Sequence, residues 1–210
     1  MTDSAPDRIP VHLERFLERL RSIIARPLVD KVPAGVTPNT LSFLRLALVI
    51  PLSAFLWQGA VLPAILVYGA AAVTDALDGE LARVRGLVSR FGSRLDPSVD
   101  KILHGVLFLS FFPVEPFLLG LSLVLDVLLF LVGLLLVSIR RSLEMSASVY
   151  GRWKMVFQSL AALLLLVNAL VSGPLVPRLF IRGVLVLALL FAILSMIGYL
   201  RRVVQTRVAV

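Results

Sequence analysis

An all-α integral membrane protein is the predicted fold class: six transmembrane helices preceded by an N-terminal interfacial amphipathic helix. Three observations predict it. The 210 residues are 59% hydrophobic and their mean hydropathy is +0.95, which leaves too little polar surface for a water-soluble domain of this length. The apolar residues gather in long runs suited to crossing a bilayer. All but two of the 21 Lys and Arg group with the termini or with alternate loops, the exceptions being Arg178 and Arg182.

The elements follow in order. From Ile9 to Leu28, Leu13, Phe16, Leu17, Leu20 and Ile24 recur at three and four, with Glu14, Arg15, Glu18, Arg19 and Arg21 mostly between them. That spacing gives an amphipathic helix with a basic polar face, either lying in the membrane interface or packed on the rest of the protein. Gly35-Val-Thr-Pro38-Asn39 breaks the chain, and Asn39 or Thr40 is the candidate N-cap of the first span, about 41–57. The second span covers about 61–77. The third begins near Asp96 or Asp100 and runs to about 112. Pro113-Val-Glu-Pro116 turns the chain into the fourth, about 117–139; the fifth covers about 155–171 and the sixth about 184–200. Residues 1–34 thus read as a juxtamembrane segment, 35–202 as the six-helix domain and 203–210 as a tail.

Charge orients these spans. By the positive-inside rule both termini and the loop after the second span are cytoplasmic, a parity that six spans satisfy. A net charge of +8 in such a chain reports cytoplasmic loops and anionic lipid and not nucleic acid. No cysteine is present, which excludes disulfides and thiolate metal sites. The charged first forty residues contain no apolar signal core, so no cleavable signal peptide is expected.

Against this apolar background stand Asp75, Asp78, Asp96 and Asp100. The first two are three apart and the last two four apart, so on helices each pair shares a face. Two neighbouring helices of this kind bring four carboxylates to one point, where their mutual repulsion calls for cations. Hard oxygen ligands suit Mg²⁺, Mn²⁺ or Ca²⁺. The full pattern is Asp75-x2-Asp78-Gly79-x2-Ala82-Arg83-x8-Gly92-x3-Asp96-x3-Asp100.

This pattern resembles the signature of the CDP-alcohol phosphatidyltransferase family at every fixed position. Upstream, Pro38-Asn39-x-x-Ser42-x-x-Arg45 is similar to the P-N-x-x-T-x-x-R segment that borders the family's nucleotide pocket, with serine for threonine. The resemblance implies transfer of a phosphatidyl or related lipid phosphate group from CDP-diacylglycerol, or another CDP-linked lipid, to an alcohol, releasing CMP. It implies two Mg²⁺ or Mn²⁺ ions per site, held by Asp75, Asp78 and Asp96, with Asp100 as the general base and also touching one metal. It places Asn39, Thr40, Ser42, Asp78, Gly79, Ala82, Arg83, Ser89 and Gly92 around the CDP-lipid. Gly79 and Ala82 would let the cytidine or ribose approach backbone closely, and Arg83 would donate to a phosphate oxygen. A homodimer in a prokaryotic inner membrane is also what the family leads one to expect.

The acceptor is addressed by a second set of residues. Leu95-Asp96-Pro97-x-Val99-Asp100-Lys101 resembles the L-D-P-x-A-D-K form of the glycerophosphate-using members, and Gly151-Arg152-x-Lys154-Met155-x-x-Gln158 resembles their G-K-x-K-T-x-x-Q. Arg140 matches an arginine of theirs, while Arg141 replaces the glutamate that follows it. Lys101, Arg140, Arg141, Arg152 and Lys154 are accordingly expected to hold a phosphorylated acceptor, glycerol 3-phosphate first, with inositol phosphate, another polyol phosphate or phosphatidylglycerol as alternatives. Ordinary positive-inside loop charge is the competing reading of the same residues. His104, one turn past Asp100, can orient it, meet a phosphate or bond a neighbouring helix, and Asp126 in the fourth span is costly unless paired or functional. An ion-coupled transporter would also carry intramembrane carboxylates, but here the acids sit at span ends and no repeated halves are found. A purely structural membrane protein leaves the spaced motif unexplained.

Overall fold

The computed structural model describes residues 27, 29–33, 35–87, 92–139, 149–171 and 173–208. Among them are six helices and no strand: α1 (Pro38–Trp57), α2 (Val61–Val84), α3 (Gly92–Ser110), α4 (Pro116–Ile139), α5 (Val149–Leu170) and α6 (Arg178–Val208). The protein is an all-α integral membrane protein. The amphipathic helix expected over Ile9 to Leu28 lies, Pro27 apart, outside the described residues.

Five of the six helices are long and apolar enough to cross a bilayer; α3 is the exception. Its first ten residues hold Arg94, Asp96, Asp100 and Lys101, so its apolar part is too short to count by length and composition alone. The helices also outrun the expected spans. α2 continues through the aspartate motif to Val84, α5 starts six residues early at Val149, and α6 begins at Arg178 and passes residue 202 to Val208. Hydropathy marks what lipid touches, whereas capping groups decide where the hydrogen-bond ladder stops.

Those caps are visible. α1 starts on Thr37, whose Oγ1 accepts the Thr40 N–H at 3.3 Å, with Pro38 in the first helical position, where its missing N–H costs nothing. The cap is therefore Thr37, not Asn39 or Thr40, because only Thr37 precedes the first helical turn. α1 and α2 both end in left-handed glycines, Gly59 (φ 69°) and Gly86 (φ 64°). Behind each, an N–H reaches five residues back: Ala60 to the Phe55 carbonyl at 2.9 Å and Leu87 to that of Ala82 at 3.1 Å, the Schellman closure.

The chain divides into two compact units. The first comprises the described residues up to Leu48 together with those of Tyr68–Val99. Its apolar centre is Val29, Leu41 and Leu81, flanked by Val32, Val36 and Leu77. Arg85 then ties the segment before α1 to the end of α2: its Nη1 donates to the carbonyls of Pro33 at 3.1 Å and Val36 at 3.0 Å, and its Nη2 to that of Val32.

The second unit comprises Val49–Val67 and the described residues from Asp100 onward. Within it α6 packs on α5 and on α4. Ala161 and Ala162 of α5 and Ala188 and Ala192 of α6 are fully or almost fully buried, and such small residues let helices approach where lipid offers no hydrophobic drive. Asn168 pins the loop between them, its amide accepting the Val176 N–H at 2.8 Å and donating to the Val176 carbonyl at 2.9 Å. Arg182, one of the two charges that break the positive-inside pattern, donates to Glu115 Oε1 at 2.9 Å.

Candidate active site

Ser42 and Arg45 follow Pro38 at four and seven residues, so all three lie on one face of α1. On α2 the three-residue spacing of Asp75 and Asp78 likewise puts both carboxylates on one face. The structure joins these faces within the first unit. Arg45 Nη1 lies 3.0 Å from Asp75 Oδ1, and Nη2 pairs with Asp78 Oδ2. Ser42 Oγ is within reach of the same Asp78 oxygen at 3.4 Å and of the Pro38 carbonyl at 3.3 Å. One guanidinium thus holds one oxygen of each of the two α2 carboxylates, in the forked geometry that only arginine offers.

Arg45 has no exposed surface and Asp78 is buried, while Asp75 is only partly covered. A buried cation is tolerable only with hydrogen-bonded counter-charges. Two carboxylates against one guanidinium leave the triad with an excess negative charge, facing out where Asp75 is partly exposed. An oxygen-only, net-negative donor set of this kind fits a hard divalent cation. Among the described residues no group of three or more acid, histidine or cysteine side chains gathers.

The remaining expected residues fall as follows. Asn39 is half-buried in the first turn of α1, and Thr40 is exposed with its hydroxyl 2.9 Å from that of Thr37. Gly79 and Ala82 are half-buried on α2. Arg83, exposed in the last turn of α2, donates from Nε to the Gly79 carbonyl at 3.1 Å and lies 3.6 Å from Oε2 of the buried Glu80. Gly92 opens α3, and Asp96 and Asp100 stand one turn apart along it, Asp96 in the first unit and Asp100 in the second. Ser89, Arg140 and Arg141 lie outside the described residues.

In the second unit, the expected acceptor residues prove to be engaged. Lys154 is buried in an ion pair with Asp126, whose other oxygen accepts Gln158 Nε2 at 2.9 Å. Asp126, whose partner could not be named from the sequence, therefore has two on α5. Lys101 places its ammonium 4.1 Å from the Phe130 ring centroid, and Arg152 is exposed. His104 Nδ1 is 2.8 Å from the Asp100 backbone carbonyl and Nε2 is 3.0 Å from Ser159 Oγ on α5. A carbonyl can only accept, so Nδ1 carries the proton and, in the neutral ring, Nε2 accepts from Ser159. His104 bonds a neighbouring helix, and its contact with Asp100 is to backbone.

Arg45 is the residue missed as a site candidate. Its signal was an arginine one turn beyond Ser42, at the start of an apolar span where a charge needs a partner.

Comparison with known proteins defines the class. The sequence profile described as CDP-alcohol phosphatidyltransferase matches residues 35–199, most of the chain and all of the site. The chain belongs to the CDP-alcohol phosphatidyltransferase family. A curated relative, the archaetidylinositol phosphate synthase of Pyrococcus horikoshii, is 36% identical over 92 residues, covering 41% of this chain and 48% of the relative. The match thus spans about half of that relative's length.

Proposed function

We propose that this protein transfers a phosphatidyl-type group from a CDP-linked lipid to a phosphorylated alcohol, releasing CMP. The observation that carries this reading is the convergence of Asp75 and Asp78, from a complete family signature, on the buried Arg45. In the reaction the acceptor hydroxyl oxygen forms a bond to the lipid-side phosphorus of the pyrophosphate. The phosphorus–oxygen bond to CMP breaks, and the hydroxyl proton passes to the Asp100 carboxylate acting as general base.

Asp75, Asp78, Asp96 and Asp100 are the residues that would hold Mg²⁺ or Mn²⁺, two ions by family expectation. Such ions, when bound, neutralise the pyrophosphate and the departing CMP phosphate. Arg45 and Ser42 fix the orientation of the two α2 carboxylates, as outer-shell partners of metal ligands do. Arg83, whose side chain is exposed, can donate to a phosphate oxygen. Asn39, Thr40, Gly79, Ala82, Ser89 and Gly92 complete the CDP-lipid surface. Lys101, Arg140, Arg141, Arg152 and Lys154 supply the positive charge for the acceptor phosphate. By the charge bias of the loops the site faces the cytoplasm, and the working form is a homodimer.

Two phosphorylated acceptors compete. The Asp96-Pro97-x-Val99-Asp100-Lys101 run favours glycerol 3-phosphate. The relative named for archaetidylinositol phosphate, together with the departures at Val99, Arg141, Arg152 and Met155, favours inositol 1-phosphate, which yields a product of that type directly. Inositol phosphate is therefore placed first. The test offers purified protein CDP-diacylglycerol, or its archaeol counterpart, with inositol 1-phosphate, glycerol 3-phosphate, free inositol and phosphatidylglycerol singly. CMP release with inositol 1-phosphate or glycerol 3-phosphate alone is expected; turnover only with free inositol or phosphatidylglycerol would overturn the phosphomonoester acceptor class.

A further inference from the structure

α4 carries a single charge in its 24 residues, Asp126. A carboxylate in a membrane-crossing helix is costly and persists for a reason. Its Oδ1 pairs with the Lys154 ammonium and its Oδ2 with Gln158, one turn apart on α5. One turn further along α4 is Phe130, whose ring carries the Lys101 ammonium of α3 on its face, 4.1 Å from the centroid. Two helices therefore bring a lysine each to a single face of α4, one held by charge and the other by a ring quadrupole.

We propose that Asp126 and Phe130 are positioning residues that assemble Lys101 and Lys154 into a two-lysine site for the phosphate of the acceptor. A packing ion pair needs one cation for one anion. Here a second lysine is drawn in beside it, within range of electrostatic repulsion from Lys154 and of attraction to Asp126 and Asp100. That repulsion is relieved when an anion lies between the two ammoniums. Asp126 holds Lys154 in a buried ion pair, and Gln158 fixes the carboxylate that does so. Phe130 holds Lys101 by its ring face, a contact that brings no counter-charge of its own. Lys101 also lies within electrostatic range of Asp100, so a phosphate anchored here would bring its alcohol near the residue assigned as base. The inference rests on the phosphorylated-acceptor reading and adds to it the residues that make acceptor recognition possible.

The test uses the full chain in lipid nanodiscs. Phe130→Leu keeps an apolar side chain while removing the ring face, and it is expected to raise the KM for the phosphorylated acceptor about fivefold, with the KM for the CDP-lipid unchanged. Asp126→Asn is expected to raise the same KM tenfold or more, on the order of what a stranded buried charge costs. The exchange Asp126→Lys with Lys154→Asp separates positioning from packing. It restores the ion pair and with it the melting temperature, but moves the ammonium to α4, so the acceptor KM stays high. A wild-type acceptor KM in the exchange variant, or in Phe130→Leu, overturns the proposal. If the wild-type protein turns over no phosphorylated acceptor, the functional reading fails, and inorganic phosphate then decides the inference alone. A phosphate-induced rise in melting temperature that Phe130→Leu abolishes supports the two-lysine site; no rise in the wild type rejects it.

Discussion

At the scale of single residues the fully buried Arg45 is the most consequential. It takes one oxygen of Asp75 and one of Asp78, so its loss strands two neighbouring carboxylates that now repel one another. Arg45→Gln is expected to destabilise the protein by about 3–5 kcal/mol, the range for breaking a buried ion pair. It should also weaken Mn²⁺ binding about 10- to 100-fold, as loss of an outer-shell partner does. Arg45→Lys retains the charge but not the fork and should fall between. Mn²⁺ titration followed by electron paramagnetic resonance, with no substrate present, measures this. Tighter Mn²⁺ binding in Arg45→Gln would show that the guanidinium competes with the metal instead of orienting its ligands.

How much of this was legible in the sequence differs from residue to residue. Asp75 and Asp78 were legible as one face because a three-residue spacing carries its own geometry on a helix. Arg45 was legible only as part of a segment near the nucleotide pocket, since its carboxylate partners lie 30 and 33 positions away on another helix and no local pattern encodes which helices adjoin. Lys154 shows the same limit. Its position suggested a loop cation for the acceptor, and nothing local announced that Asp126, across two helices, would claim it.

At the scale of elements, helix existence was plain from the apolar runs, and helix ends were not. Polar residues such as those of the aspartate motif continue a helix that hydropathy has already abandoned, and the stops come from Gly59 and Gly86. The Arg85 clamp on Val32, Pro33 and Val36 belongs to this scale. It closes the turn that places Thr37 as the cap of α1 and hence sets the register of Ser42 and Arg45 against α2. Arg85→Ala removes three donors from these carbonyls. The amide protons of Val32 and Val36, bonded to Val29 and Pro33 at 3.0 Å each, are expected to exchange with solvent at least tenfold faster, on the order of 1.4 kcal/mol of local stability lost. Exchange measured by mass spectrometry reads this directly, and unchanged rates would assign the turn's order to its own hydrogen bonds and the Val29–Leu41–Leu81 cluster.

At the scale of the whole molecule, the segregation of Lys and Arg is the basis for proposing that the site faces the cytoplasm. The chain lacks cysteine, so single cysteines report sidedness without background. Lys31→Cys, exposed before α1, should react with a membrane-impermeant maleimide only from the cytoplasmic side, and Leu175→Cys, exposed between α5 and α6, only from the other. Labelling of both from one side would contradict the span parity. The short apolar part of α3 has a plain cause: a helix that carries Asp96, Asp100 and Lys101 in its first half puts charge where a plain span would put leucine.

The most direct test of the central claim is CMP release by the purified protein with CDP-diacylglycerol and a phosphorylated acceptor, run with Mg²⁺, with a chelator, and in the Asp100→Asn variant. Release that requires the divalent ion and falls by at least about a hundredfold, in keeping with loss of a general base, in a variant that keeps the wild-type melting temperature is the expected result. Release that persists in the chelator, or undiminished in Asp100→Asn, would contradict a metal-assisted transfer that uses Asp100 as its base.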